Sequence, residues 1–279
     1  MDSSTAIVWE TLPGARALLE LHSRELPQRD DLCGAFCGAL ALGAAGLHER
    51  DGEPLDQDAV ALAAGSIVGG VREPGTLPHG EAGRRDYRLQ FPRIDDSELS
   101  GTTAAGVAGA VGELSGGALR AIPYLGPWTA GTLAGIFDLA LALANPVTLV
   151  ANLATHHLWG AGATPAQILG HLQNGGDDGP PPDWDVGHFA CVFGRITGPG
   201  GVLYCVADTY PSLGNNGVHL QPQERLAAAI DRRDKPAGGV IVVLGADDAS
   251  AVRAGARELG LQEGLWDNGT AAAERAGSA

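Results

Sequence analysis

The chain has 279 residues, 44% of them apolar and 18% charged, with 42 glycines, 17 prolines and a formal net charge of −15. That is ample sequence for a core in one large domain or two small ones, and the balance is globular rather than disordered. The acidic excess argues against non-specific binding to nucleic acid or to anionic lipid, and leaves small or peptide substrates open.

The N-terminal segment Met1–Glu10 lacks the basic and apolar regions of a signal peptide. The protein is therefore expected in the cytoplasm, with its four cysteines reduced. Apolar positions at Leu12, Ala15, Leu18, Leu19 and Leu21 predict a short helix over 12–24. The following stretch, Leu26 to Leu42, organises the rest. A polar, proline-marked loop runs into Cys33, and small and apolar residues continue to Gly46. This reads as a loop delivering a cysteine to the first turn of a buried helix, with Asp30 or Asp31 as its cap. A thiol there sits at the positive end of the helix dipole, which favours the nucleophilic thiolate.

Pro54–Ala64 reads as an Asp-capped helix, and 69–101 as a long irregular loop with a short strand at Tyr87–Phe91. The loop carries Arg72, Arg84, Arg85, Arg88 and Arg93. They suit either a lid that binds a substrate carboxylate or phosphate, or a solvated surface paired with the acidic excess. Thr102–Gly117 is a weak helix or a flexible cover. Thr129–Leu158 is the most apolar segment, interrupted by Asp138, Asn145, Pro146 and Asn152, and a membrane span needs about 20 mostly apolar residues. A buried helical pair, broken near Asn145-Pro146, is the better reading. Thr164–Leu172 starts a helix with Thr as cap and Pro in the first turn, and Asn174–Trp184 is an exposed linker.

The pattern then changes. Val186–Phe193 and Gly201–Ala207 are strand-like and joined by a Gly-Pro-Gly-Gly turn. Gln221–Asp231 is helical, Gly239–Leu244 a strand, and Ala249–Leu259 an Asp-capped helix. The predicted class is α+β, as one domain over 1–267. It has a helical lobe over about 12–172, an antiparallel sheet lobe over about 184–266, and a disordered tail over 268–279.

A thiolate nucleophile needs a base and a group that fixes the base's tautomer. His188 opens the first strand of the hairpin and Asp208 ends the second, so both fall at one end of it. Strands lie about 5 Å apart, within reach of a carboxylate–imidazole bond. The plainer readings are a buried structural Cys33, a core His188 and a turn residue at Asp208. Cys37, one turn on, is the alternative nucleophile, and Cys191 and Cys205 read as core. A zinc site needs two close ligand pairs and Cys33/Cys37 is the one pair, so no metal or cofactor is expected. The other histidines (22, 48, 79, 156, 157, 171, 219) have no matching context, although His156-His157 could line a pocket.

Gln28 before Cys33-Gly34-Ala35-Phe36-Cys37, then Gly187-His188-Phe189 and Val206-Ala207-Asp208, resembles papain-like cysteine peptidases, nearest the bacteriocin-processing (double-glycine) branch. The segment Asp208–Gly214 also resembles a bacterial family to which no activity is attached. The first resemblance covers about 26–70 and 184–245. It implies a papain-like fold, Cys33 as nucleophile, His188 as base, Asp208 as orienter and Gln28 as oxyanion donor. The implied chemistry is acyl transfer through a thioester, with hydrolysis of a peptide or amide as the first expectation. The rivals are a biosynthetic acyltransferase or amide synthase with the same residues, and a binding module that has lost catalysis. Expected partners are a peptide or small acyl substrate, or a carrier-protein thioester.

Overall fold

The computed structural model describes residues 6–70, 76–160, 162–182, 184–233 and 236–271. Arg72 of the expected lid and 272–279 of the expected tail lie outside the described residues. The first half holds β1 (Val8–Thr11), α1 (Ala15–Glu25), α2 (Cys33–Ala44), the small hairpin β2 (Glu49–Arg50) and β3 (Glu53–Pro54), α3 (Gln57–Ala64), α4 (Ala104–Leu114), β4 (Leu119–Leu125) and α5 (Ala130–Leu141). Then come β5 (Val147–Ala154), α6 (Pro165–Asn174), β6 (Gly187–Thr197), β7 (Val202–Ala207), β8 (Val218–Pro222), α7 (Gln223–Asp231), β9 (Gly239–Gly245), α8 (Ala249–Glu258) and β10 (Gln262–Glu263).

The protein is mixed α+β around one large antiparallel sheet, ordered β10-β4-β9-β5-β6-β7-β8, with β1 pairing along the far end of β6. Helices cover both faces. Ile241 and Val243 of β9 join the core under α1–α4, and Val240, Val242 and Leu244 join the core under α5, α7 and α8. Successive strand residues point to opposite faces, so a strand covered on both sides reads as an unbroken apolar run.

That rule explains the main correction. Val147–Ala154 is not the second half of a helical pair but the central strand β5, with all eight residues buried. Leu119–Leu125 is likewise a strand. A sheet therefore runs through the segment assigned to a helical lobe, and the division at 172–184 does not separate helices from strands. Short apolar runs buried on all sides carry no periodicity that tells strand from helix.

Local signals are more faithful. Asp56 caps α3 by accepting the Ala59 N–H (2.9 Å). Thr103 caps α4, so the helical reading of 102–117 holds for Ala104–Leu114. Thr164 and Gln167 form a reciprocal capping box on α6. Two expected caps do not form. Neither Asp30 nor Asp31 caps α2 and no Asp side chain caps α8. No strand forms at Tyr87–Phe91, where the two rings pack edge to face at 5.5 Å. Residues 268–271 of the expected tail are held: Ala271 N donates to Leu99 O (2.9 Å) and Asn268 Nδ2 to Thr102 O (3.1 Å). Among the described residues, no helix is long and apolar enough to cross a membrane.

Three arginines of the long loop, Arg84, Arg85 and Arg88, fasten it down. Arg84 chelates Asp86 and reaches Pro27 O (2.9 Å), Arg85 reaches Gly69 O (2.6 Å), and Arg88 pairs with Asp56 (2.9 Å). None of these lines the cleft described below, so the lid reading gives way to the surface reading. Replacing Arg84 and Arg85 with Ala is expected to cost about 1 kcal/mol of stability, the size of exposed ion pairs and partly buried bonds to carbonyls. Thermal unfolding checks this; an unchanged melting temperature would contradict it.

Candidate active site

α2 is apolar all round, which marks a helix buried on every side. Gly34 through Ala44 are buried, and Cys33 is the one residue of the helix left partly exposed. The loop before it is fixed by polar contacts. Asp31, in the left-handed region at φ 69°, accepts from Ser100 Oγ and from Gly69 N, both at 2.9 Å. Asp30 accepts the Arg84 N–H (2.9 Å). The N-cap position is Leu32, which makes no side-chain cap bond.

His188 and Asp208 come from β6 and from the residue after β7, at the end of the hairpin where the sequence puts them. Imidazole Nε2 lies 2.8 Å from Asp208 Oδ1, and both residues are buried. The Trp184 ring meets the imidazole edge-on at 4.8 Å and the Tyr210 ring stacks on it at 6.4 Å. Trp184 is buried rather than the end of an exposed linker. Burial by itself lowers the His188 pKa, but the Asp208 charge and hydrogen bond, with Cys33 adding, outweigh it and raise it. Burial likewise pushes Asp208 up, and the two imidazoles beside it, His188 and His219, hold it far below the usual carboxylate range.

His219 is one of two histidines that the sequence reading passed over. Its Nε2 lies 3.0 Å from Asp208 Oδ2, and its Nδ1 3.0 Å from Gln221 Nε2. His22 on α1 donates to the Asp208 carbonyl (2.6 Å); burial lowers its pKa, so it is neutral near neutral pH. The backbone N–H of Thr209 adds a bond to Oδ1 (2.6 Å). The carboxylate is thus gripped on both oxygens. A signal for His219 was present: Asn216-Gly217, with φ 51° and 78°, makes the tight turn that starts β8.

Gln28 is buried beside them. Its N–H donates to Thr209 O (2.9 Å), and its Oε1 accepts the Thr209 hydroxyl. An amide oxygen taken by a hydroxyl leaves the amide N–H₂ as the end free to donate.

Gln28, Cys33 and His188 line one cleft of about 500 Å³. Its walls are the start of α2, the segment 97–102, the start of β6 and residues 268–270. Cys37, Cys191 and Cys205 are buried away from it. Burial, with Cys191 adding, raises Cys37 well above an ordinary thiol, and burial raises Cys205 to about 12. His156 does not line the cleft; its Nδ1 lies 3.0 Å from Oδ1 of Asp185, which does. Among the described residues, no group of three or more His, Cys, Asp or Glu is placed to hold a metal ion.

Residues 12–267 match a family of unknown function, DUF6885. The chain belongs to that family. No curated protein matches it. A solved structure, digestive procathepsin L 3 of the Tenebrio molitor larval midgut, is similar over 84% of this chain at 16% identity and a TM-score of 0.28. The chain spans 61% of that protein's length.

Proposed function

We propose that this DUF6885 protein is a cysteine-dependent acyl-transfer enzyme of papain-like arrangement, whose first reaction is hydrolysis of a peptide or amide bond. The reading is carried by one observation: a partly exposed cysteine at an uncapped helix start shares a cleft with a buried imidazole bonded at 2.8 Å to a buried carboxylate.

Asp208 holds Nε2, so Nδ1 is the ring nitrogen left to take the Cys33 proton. A cation beside a thiol favours the thiolate. The sulfur then attacks the substrate carbonyl carbon: a C–S bond forms and the C=O pair moves to oxygen. Backbone N–H groups of the first turn of α2 and the Gln28 amide are the donors for that oxyanion. As it collapses, the C–N bond breaks and His188 gives its proton to the departing amine. Water next loses a proton to His188 and attacks the thioester, the C–S bond breaks, and an acid and free Cys33 result. An amine in place of water would yield an amide.

Iodoacetamide at pH 7, read by peptide mass spectrometry, tests the assignment of the nucleophile. Cys33 is expected to be alkylated first, with Cys37, Cys191 and Cys205 following only on unfolding. An unreactive Cys33, or earlier labelling of any of the other three, sinks the proposal and favours a binding module.

A further inference from the structure

The sequence places arginines in the long loop, yet the arginine that lines the cleft is Arg232. It follows α7 in a charged run, Asp231-Arg232-Arg233, that looks like solvated surface. Its side chain is nonetheless only 3% exposed. The backbone sits in the left-handed region, φ 46° and ψ 48°, where a helix end normally carries Gly or Asn. This turn directs the guanidinium back over the sheet. Nη1 donates to Asn152 Oδ1 (2.8 Å), an oxygen that also takes the Trp266 indole N–H (3.0 Å). The same Asn152 donates to His188 O (3.1 Å). Arg232 is thus fastened to β5 and, through Asn152, to the strand that carries the imidazole.

Two glycines make the room. A Cβ on Gly187 would lie 2.9 Å from Arg232 Nη2, and one on Gly238 would lie 2.5 Å from Arg232 Cδ. Gly187 immediately precedes His188, so the guanidinium passes beside the catalytic strand. Arg232 and His188 are the basic side chains among the described residues that line the cleft. In the same wall, Asn268 Oδ1 is buried without a hydrogen-bond partner among the described residues.

We infer that Arg232 anchors a carboxylate on the acyl substrate, and that Asn268 Oδ1 accepts an N–H next to it, so that the cleft takes N-acyl amino acids or peptides ending close to the bond attacked. The inference rests on Cys33 being the nucleophile. A planar guanidinium pairs with a carboxylate through two parallel bonds, which a neutral amide cannot copy. The net charge of −15 opposes any anion, so a preference for one requires a local cation.

Matched electrophiles read this directly: N-bromoacetyl derivatives of glycine, β-alanine and γ-aminobutyrate, each beside its neutral carboxamide. The Cys33 sulfur displaces bromide, forming the S–C bond as C–Br breaks, and the three lengths scan the distance to the anchor. At least one acid is expected to alkylate Cys33 saturably and about tenfold faster than its amide, as a desolvated charge-assisted pair supplies. Arg232→Gln should bring that ratio to about one, whatever it does to the two rates separately, and Arg232→Lys should retain part of it. The unreactive N-acetyl acids provide a reading that does not depend on the thiol: they should raise the melting temperature of wild type and of Cys33→Ala, but not of Arg232→Gln. Equal rates for acid and amide at every length, or a preference that survives Arg232→Gln, overturns the anchor and leaves Cys33 standing. No labelling of Cys33 by either series removes the nucleophile, while the acetyl acids still decide the anchor.

Discussion

His188→Gln alkylates at Cys33 about 10²- to 10³-fold more slowly than wild type at pH 7, the range that a positioned general base contributes. Glutamine keeps much of the imidazole's volume, so the packing of Trp184 and Tyr210 against position 188 is largely preserved. What it removes is the group that takes the thiol's proton. With an activated ester such as p-nitrophenyl acetate, wild type should release a burst of nitrophenol equal to the enzyme present, with an acetyl adduct on Cys33. Both Cys33→Ala and His188→Gln should lose the burst. The double variant should be no worse than either single one, because residues that act as a unit do not add. A His188→Gln protein whose Cys33 reacts at the wild-type rate would show that the imidazole does not activate the thiol, and the site would revert to a structural cluster.

The sequence made parts of this arrangement legible for reasons that are local. Cys33 was readable because a polar loop meeting an unbroken run of small and apolar residues describes a buried helix start. His188 and Asp208 were readable because a Gly-Pro-Gly-Gly turn fixes a hairpin's register, and register alone puts both residues at one end. The caps at Asp56 and Thr164 depend on contacts three residues away. β5 was not legible, since its flat apolar pattern comes from burial by helices on both faces that lie far off in sequence. The Asp30 and Asp31 side chains were misread for a similar reason: their partners, Arg84 and Ser100 with Gly69, are 38 or more residues away. Arg232 shows the limit most clearly. Nothing in a run of charges reveals which one turns inward until Gly187 and Gly238 are seen to clear its path.

Asp208→Ala is expected to destabilise the fold by about 3–5 kcal/mol, the cost of breaking a buried ion pair by removing one partner. The carboxylate serves His188 on one oxygen and His219 on the other, so Ala leaves two imidazoles without their acceptor. Asp208→Asn, which keeps the shape, carries the sharper pH argument. The wild-type His188 pKa is raised in the fold, so its stabilisation is fully present below its unfolded value near pH 6.5 and is lost as pH rises toward the folded one. Asp208 is depressed, so its share is present above its unfolded value near pH 4 and is lost as pH falls further. The pair therefore contributes most between about pH 4 and 6.5. In Asp208→Asn the carboxylate charge is gone and burial, which lowers the imidazole, prevails at His188. A buried histidine with a lowered pKa gains stability as pH rises through about 6.5, the reverse of wild type. His22 is lowered by burial and held up in part by the Asp208 carbonyl and charge; losing the charge lowers it further, which acts in the same direction as His188 in the comparison. The stability difference between wild type and Asp208→Asn, from denaturant unfolding at a series of pH values, should accordingly shrink from pH 6 to pH 9. A difference that stays flat over that interval would mean that His188 carries no extra proton in the folded state, and the imidazolium required beside Cys33 would be lost with it.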